Sequence, residues 1–564
     1  MERNYVKKDF KVSTWEQLKP YFDELKQRPI NSVEEFEKWL RDYSELGAVI
    51  SEDMAWRYIK MTCDTGSAEL RDRYNDFVQN IEPKMAPVTN DLNKKIMAVP
   101  YREQLSKEGY IIYLRSIKNS IELFREENIP LNTQLQELEQ QFGAISGEQS
   151  IEYNGEKITL QKASVYLKDL NREVRRDVFV RIQKRRAEDE DTLNELFDKL
   201  IALRHQVARN AGFENYRDYK HRSLARFDYS VQDCLDFHEA VRQHAVPLLN
   251  AHDEQRKRKL QLDEYRPWDT SVDEDGLPPL KPFSSSREMI DKTIACFNKL
   301  DPFFGDCIRT MEKMGRLDLE SRLGKSPGGY QYPLYETDVP FIFMNSVGLH
   351  RDMVTMVHEG GHAIHSFLDK DLELVEFKSP PSEVAELASM SMELLSMEHW
   401  DEFFKDPEEL KRAKRQQLEG VMDTLPWIAC IDKFQHWIYL HPGHSVKKRY
   451  EAWRKIVADF ASSVVNYEGF EESLNRRWQV QLHLYEVPFY YIEYGFAQLG
   501  AIAVWRNYKQ DAQAAIRDYK KALALGYTKT IPEIYAAAGI KFDFRPAYIK
   551  ELMDFVKGEY DKLL

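Results

Sequence analysis

Hydrophobic residues recur at helical spacing along most of the chain. Phe36, Trp39, Leu40, Tyr43 and Leu46 fall three or four positions apart, which predicts an amphipathic helix. Ser32-Val33-Glu34-Glu35 just ahead of them has the form of a capping box and marks where that helix begins. Similar stretches run through Met54–Met61 and Ile111–Phe124, so helix is predicted through to about residue 140. The period then changes. Ile151–Leu160 alternates about Asn154-Gly155, which predicts a β-hairpin. Helix resumes near Lys168 and runs, with interruptions, to about Arg209. Glu264–Ser286 is rich in Pro, Asp and Ser and is predicted to be a long surface excursion. An irregular stretch at 324–330 leads into Val339–Met344, whose apolar and aromatic run predicts a strand. Pro340 at its start points to a sheet edge, where an extended peptide would find a row of backbone groups to pair with. From Glu383 to the end the pattern is helical again, and no segment repeats at a fixed offset, which rules out a solenoid. The chain is expected to be mainly α.

One stretch carries chemistry. Met353–His365 contains His358-Glu359-Gly360-Gly361-His362. Residues four apart stand above one another on a helix, so His358 and His362 can both reach one metal ion. Glu359 points beside that ion, where its water would lie. Gly360 and Gly361 each cost about 1 kcal/mol against Ala in a helix interior, so something is expected to approach the backbone closely there. A zinc hydrolase needs a third protein ligand and one open position. His365 shares the face but lies about 10 Å further along the axis, too far for bonds near 2 Å. It is expected instead to support a ligand or face the substrate. The position where a metzincin has its third His is Leu368. A carboxylate from the next helix remains. Glu383 would sit in that helix's first turn, where a negative charge is welcome without any metal. Glu386 lies a turn deeper among apolar neighbours and has no such reason to be there, so Glu386 is the expected ligand. Glu393, two turns on, is a candidate to orient a ligand imidazole. Downstream, His483, Tyr491 and Tyr494 form a cluster of donors of the kind that stabilises negative charge on a peptide carbonyl oxygen.

Length and charge narrow the class. A chain of 564 residues exceeds one ordinary core, so two or more lobes are expected. The division expected is a helical N-terminal lobe over 1–180, carrying the hairpin near 150–160, and a catalytic part over 181–564. A net charge of −13 argues against nucleic acid as partner. No run of about 20 apolar residues suggests a membrane span, and the charged N-terminus shows no secretory signal. The five scattered cysteines lack metal-knuckle spacing and are expected to be reduced thiols of a cytoplasmic protein.

With these residues in hand, the chain resembles the thimet oligopeptidase / oligoendopeptidase F family of zinc metallopeptidases, in a Pz-peptidase-like form. The helix motif HExGHxxH reads here His358-Glu359-Gly360-Gly361-His362-Ala363-Ile364-His365, and Glu386-Leu387-Ala388-Ser389 is similar to the family's third-ligand segment. Leu203–Tyr216 and Leu525–Ile540 extend the likeness over roughly 150–560. The resemblance implies a two-lobed helical shell around a deep channel, one zinc ion per chain, and cleavage of internal bonds in short unstructured peptides. It implies zinc ligands His358, His362 and Glu386, with Glu359 as general base. Tyr494 and His483 would be donors to the transition state and Tyr491 a substrate contact; His365 keeps the supporting or substrate-facing place read from its spacing. Two other classes fit the residues: a non-catalytic helical peptide-binding protein with a vestigial metal site, and a dipeptide-releasing exopeptidase. The oligomeric state is not indicated.

Overall fold

The computed structural model describes residues 2–322, 324–326 and 328–564; Pro327, within the irregular stretch read from sequence, lies outside the described residues. The chain is mainly α, as its periodicity predicts. Helices Trp15–Gln27, Val33–Cys63, Glu82–Ala98, Gly109–Leu123 and Asn128–Glu148 fill the N-terminal part. Ser32 caps Val33–Cys63 by accepting from the Glu35 N–H, while the Glu35 carboxylate accepts from the Asn31 N–H instead of that of Ser32. Val6 to Ile117 supply one apolar core, which Leu374 and Phe377 enter from the other part of the chain. The second and larger core takes residues from Leu135 to Tyr560.

The hairpin forms where alternation predicts it. Ser150–Tyr153 pairs antiparallel with Glu156–Thr159, and Asn154 and Gly155 both have positive φ (52° and 81°), the conformation that favours Asn-Gly in a two-residue turn.

Two expectations need correction. The strand Phe341–Ser346 is not an edge but the centre of three, parallel to Leu317–Glu320 and antiparallel to Tyr330–Tyr332. Pro340 precedes its first residue, so no ladder donor is lost. The edge beside the metal-motif helix is Tyr330–Tyr332. Residues 264–286 also do not lie wholly on the surface. Tyr265, Trp268, Val272, Leu280 and Phe283 are buried. Asp269 is buried too, paired with Arg172 and Arg175 at 2.8 Å each. Polar composition misleads here because the charges find partners within the chain.

The site rests on three helices: His350–Leu368, Ser382–Met397 and Tyr491–Gln510. The first two touch backbone to backbone. A Cβ on Gly361 would lie 2.7 Å from Ser389 Cα and 2.8 Å from the Ala388 carbonyl oxygen; one on Gly360 would lie 2.8 Å from the Phe297 ring. The glycines predicted to admit a close neighbour do so. Among the described residues no helix is long and apolar enough to cross a membrane.

Replacing Gly361 by Ala should therefore lower the denaturation midpoint, at an overpacking cost of about 1–3 kcal/mol. Gly558→Ala is the control, since its Cβ would meet nothing within 4 Å; it should hold or raise the midpoint. A Gly361→Ala midpoint equal to that control would contradict the contact.

Candidate active site

His358 and His362 project from one face of His350–Leu368 towards Glu386 on Ser382–Met397. Glu386 Oε2 lies 3.5 Å from His358 Nε2 and 3.6 Å from His362 Nε2. One ligand atom from each residue falls within 4.8 Å of the others. Tetrahedral zinc with bonds near 2 Å spaces its ligands by about 3.3 Å, so this donor set fits such an ion. The remaining ring nitrogens are held from behind. His358 Nδ1 lies 2.6 Å from Glu393 Oε1, and Gln417 Nε2 donates to Glu393 Oε2 at 2.7 Å. His362 bonds to the Ala385 carbonyl. Such backing fixes the tautomer and aims Nε2 at the space the three donors share.

Electrostatics keep the carboxylate ready. Burial pushes the Glu386 carboxyl upwards, but His362 and His358 outweigh it and hold the group down at about 2. Its other oxygen, Oε1, accepts from the Tyr490 hydroxyl at 2.9 Å, and Ser389 Oγ donates to Oε2 at 3.0 Å. Burial lowers His362 to about 4. Burial would lower His358 as well, yet hydrogen bonds to Glu386 and Glu393 hold it well above its ordinary value. Glu359 is buried at the cavity wall, its carboxyl raised to about 7 chiefly by that burial, and it accepts a backbone hydrogen bond from Gln331 on the edge strand.

A cavity of about 1300 Å³ opens over these groups, larger than ordinary small-molecule pockets. His358, Glu359, His483, Tyr491 and Tyr494 all line it. The His483 ring centroid lies 4.7 Å from that of Tyr491 and 5.8 Å from that of Tyr494. Burial lowers His483 to about 4, leaving its imidazole neutral near pH 7. These aromatics are aimed by a strained turn. Phe489 has φ 67°, an outlier for a bulky residue. Its N–H donates to Gln435 Oε1 at 2.6 Å and its carbonyl accepts from Arg226, itself paired with Glu493 at 2.8 Å. Strain of this kind persists where surrounding contacts over-determine it.

Of the residues singled out in the sequence, the structure brings together His358, Glu359, His362, Glu386, His483, Tyr491 and Tyr494. His365 lies apart from them. It is buried, bonded towards the Leu523 backbone and 3.9 Å from Asp369, and it does not line the cavity. Seven residues of helix carry it past the opening, away from where the sequence reading put it. Glu383 turns the other way, towards Tyr229. Sequence reading missed Tyr490, because a shared helical face was assumed for Tyr491 and Tyr494 and the turn at Phe489 was not foreseen. Gln417 was also missed; it sits inside the 34-residue helix Pro407–Leu440 with no local signal. A second cluster, His238, Asp432 and His436, is fully buried away from the cavity. Its ring nitrogens stand at hydrogen-bond distances of 2.7 and 3.1 Å from one Asp432 oxygen.

Comparison with known proteins places the chain in a family. Residues 165–554 match Peptidase family M3, and residues 7–124 match the Peptidase M3 N-terminal domain. An oligoendopeptidase F homolog of Borreliella burgdorferi is 22% identical over 394 residues, covering 67% of this chain and 63% of that protein. Oligopeptidase PepF of Bacillus subtilis is 21% identical over 391 residues, covering 69% of this chain and 57% of the relative. The chain thus spans somewhat under two thirds of the length of these relatives. Among solved structures, Pz peptidase A with an inhibitor superposes with a TM-score of 0.92 at 24% identity, covering 98% of this chain and 99% of the other. A putative oligoendopeptidase F gives the same score and identity, covering 98% of each chain. With the family matched over most of its length, this chain belongs to peptidase family M3.

Proposed function

We propose that the chain is a zinc-dependent oligopeptidase that hydrolyses internal bonds of short, unstructured peptides. The observation that carries this reading is the convergence of His358, His362 and Glu386 within 4.8 Å, beside a cavity that His358 and Glu359 line. One zinc ion per chain, held by those three residues, would supply a Lewis acid and lower the pKa of water there. Glu359, next in the chain to His358, takes up a proton at its carboxylate as the carbonyl carbon is attacked and returns it to the leaving amine. His483 and Tyr494 donate hydrogen bonds to the carbonyl oxygen as it gains charge. Tyr491 contacts the peptide. Tyr490 is a positioning residue, holding one Glu386 oxygen so that the other faces the imidazoles. Residues 1–180 form the helical N-terminal lobe and 181–564 the catalytic part. A cavity of this kind admits an extended peptide and excludes folded proteins. All five cysteines are free, four of them buried, which supports a reducing compartment such as the cytoplasm.

Three outcomes test the assignment. A chelator should abolish oligopeptide hydrolysis and added zinc should restore it; activity indifferent to both would contradict the metal. Glu359→Gln should retain one zinc per chain by elemental analysis while kcat falls at least about 100-fold, and turnover near the parent rate would remove Glu359 from its role. Glu393→Ala should weaken zinc binding roughly 10- to 100-fold in a competition titration. Unchanged affinity there would show that the contact with His358 does not support the ion.

A further inference from the structure

Two histidines and an aspartate lie buried together behind the active site, and no step proposed above uses them. His238 comes from the helix Val231–His244, while Asp432 and His436 stand one turn apart on Pro407–Leu440. His238 Nε2 lies 2.7 Å and His436 Nε2 3.1 Å from the same oxygen, Asp432 Oδ2. The shorter separation is that of a hydrogen bond; two ligands of one zinc ion would stand about 3.3 Å apart. Nδ1 of each ring has no hydrogen-bond partner among the described residues, so the orientation of both rings depends on Asp432. Burial would raise the Asp432 carboxyl, yet His436 and His238 hold it well below its ordinary value. Apolar side chains of similar volume often join two elements at least as firmly as a buried ionic group, so a charged trio here calls for another reason. What it adds is direction, since a hydrogen bond constrains angle as well as distance.

The neighbours of the trio supply that reason. Gln435, beside His436, accepts from the Phe489 N–H at 2.6 Å, and the His436 ring stands T-shaped against the Phe489 ring, centroids 5.4 Å apart. Phe237, beside His238, packs against Gly495. A Cβ on Gly495 would lie 2.6 Å from Phe237 Cζ and 3.2 Å from Cγ2 of Ile428, which shares a helix with Asp432. Phe489 comes just before the three tyrosines of this segment, and Gly495 comes just after Tyr494. The trio therefore ties together the two helices that seat the two ends of 489–495.

We propose that Asp432 is a positioning residue for the reaction: by bonding both His238 and His436 it fixes how the two ends of 489–495 are held, and so where the Tyr494 hydroxyl stands as the peptide carbonyl gains charge. Asp432, His238 and His436 do not line the cavity, so they act through the segment and not on the substrate. A misplacement of about 1 Å at a reacting group costs on the order of 100-fold in rate. The inference rests on the peptidase reading above.

The test uses the zinc-loaded full chain and one short peptide that the parent cleaves. Asp432→Ala should lower kcat about 10- to 100-fold while KM stays within about twofold and one zinc per chain is retained. Asp432→Asn keeps an acceptor oxygen in place and should recover kcat to within about threefold of the parent. A double-variant cycle then asks whether the effect passes through Tyr494. Added to Tyr494→Phe, Asp432→Ala should lower kcat by less than about threefold more. Where Asp432→Ala does not fold, His436→Leu replaces it in the cycle with the same expectation, since it removes one of the two bonds and leaves an apolar side chain in the core. Losses that multiply in the cycle, a kcat loss matched by lost zinc, or an unchanged kcat overturns the positioning role and leaves the peptidase standing. So does an Asn variant no better than the Ala variant. A parent chain that cleaves no oligopeptide removes the reading beneath, and this inference with it.

Discussion

The site depends on one backbone contact. Gly361 lies where any side chain would strike the Ser389 Cα and the Ala388 carbonyl, so two helices meet at a distance that only glycine allows. That contact brings Glu386, three residues before Ser389, level with His358 and His362. The Tyr519 hydroxyl donates to the same Ala388 carbonyl at 2.7 Å, which also holds the second helix in place. A wider approach would move the carboxylate out of reach of the imidazoles, since metal bonds tolerate errors of only a few tenths of an ångström.

What the contact brings together, buried polar chemistry holds in place. A carboxylate with no partner in a protein interior is costly, and each one here is occupied. Glu386 takes hydrogen bonds from Tyr490 and Ser389, and Glu393 sits between His358 and Gln417. Phe489, with its N–H on Gln435 and its carbonyl on Arg226, directs the tyrosines that follow it. These supports come from helices far apart in the chain. The candidate ligands are therefore presented by a framework that sets their geometry in advance.

Much of this was legible in the sequence, for physical reasons. The four-residue spacing of His358 and His362 is a property of any α-helix, and Asn154-Gly155 demands positive φ at both turn positions. Gly360 and Gly361 announced a close neighbour by their helix cost. Glu386 stood out as a carboxylate among apolar residues with no cap or dipole to account for it. What stayed hidden was whatever depends on a distant partner. Asp269 and its two arginines are nearly 100 residues apart, so residues 264–286 read as surface. Phe341–Ser346 read as an edge because Pro340 stands before it, while the two strands that flank it lie elsewhere in the chain. Tyr490 was passed over because the turn at Phe489 is imposed by Gln435 and Arg226. His365 shares the face of His358 by periodicity alone, and its position seven residues on, bonded towards the Leu523 backbone, leaves it outside the cavity lining.

The most direct test is anomalous diffraction at the zinc edge from crystals of the zinc-loaded protein. The account predicts one peak per chain, about 2.0–2.2 Å from His358 Nε2, His362 Nε2 and a Glu386 oxygen. A peak that leaves Glu386 uncoordinated, or one placed instead among His238, Asp432 and His436, would contradict it.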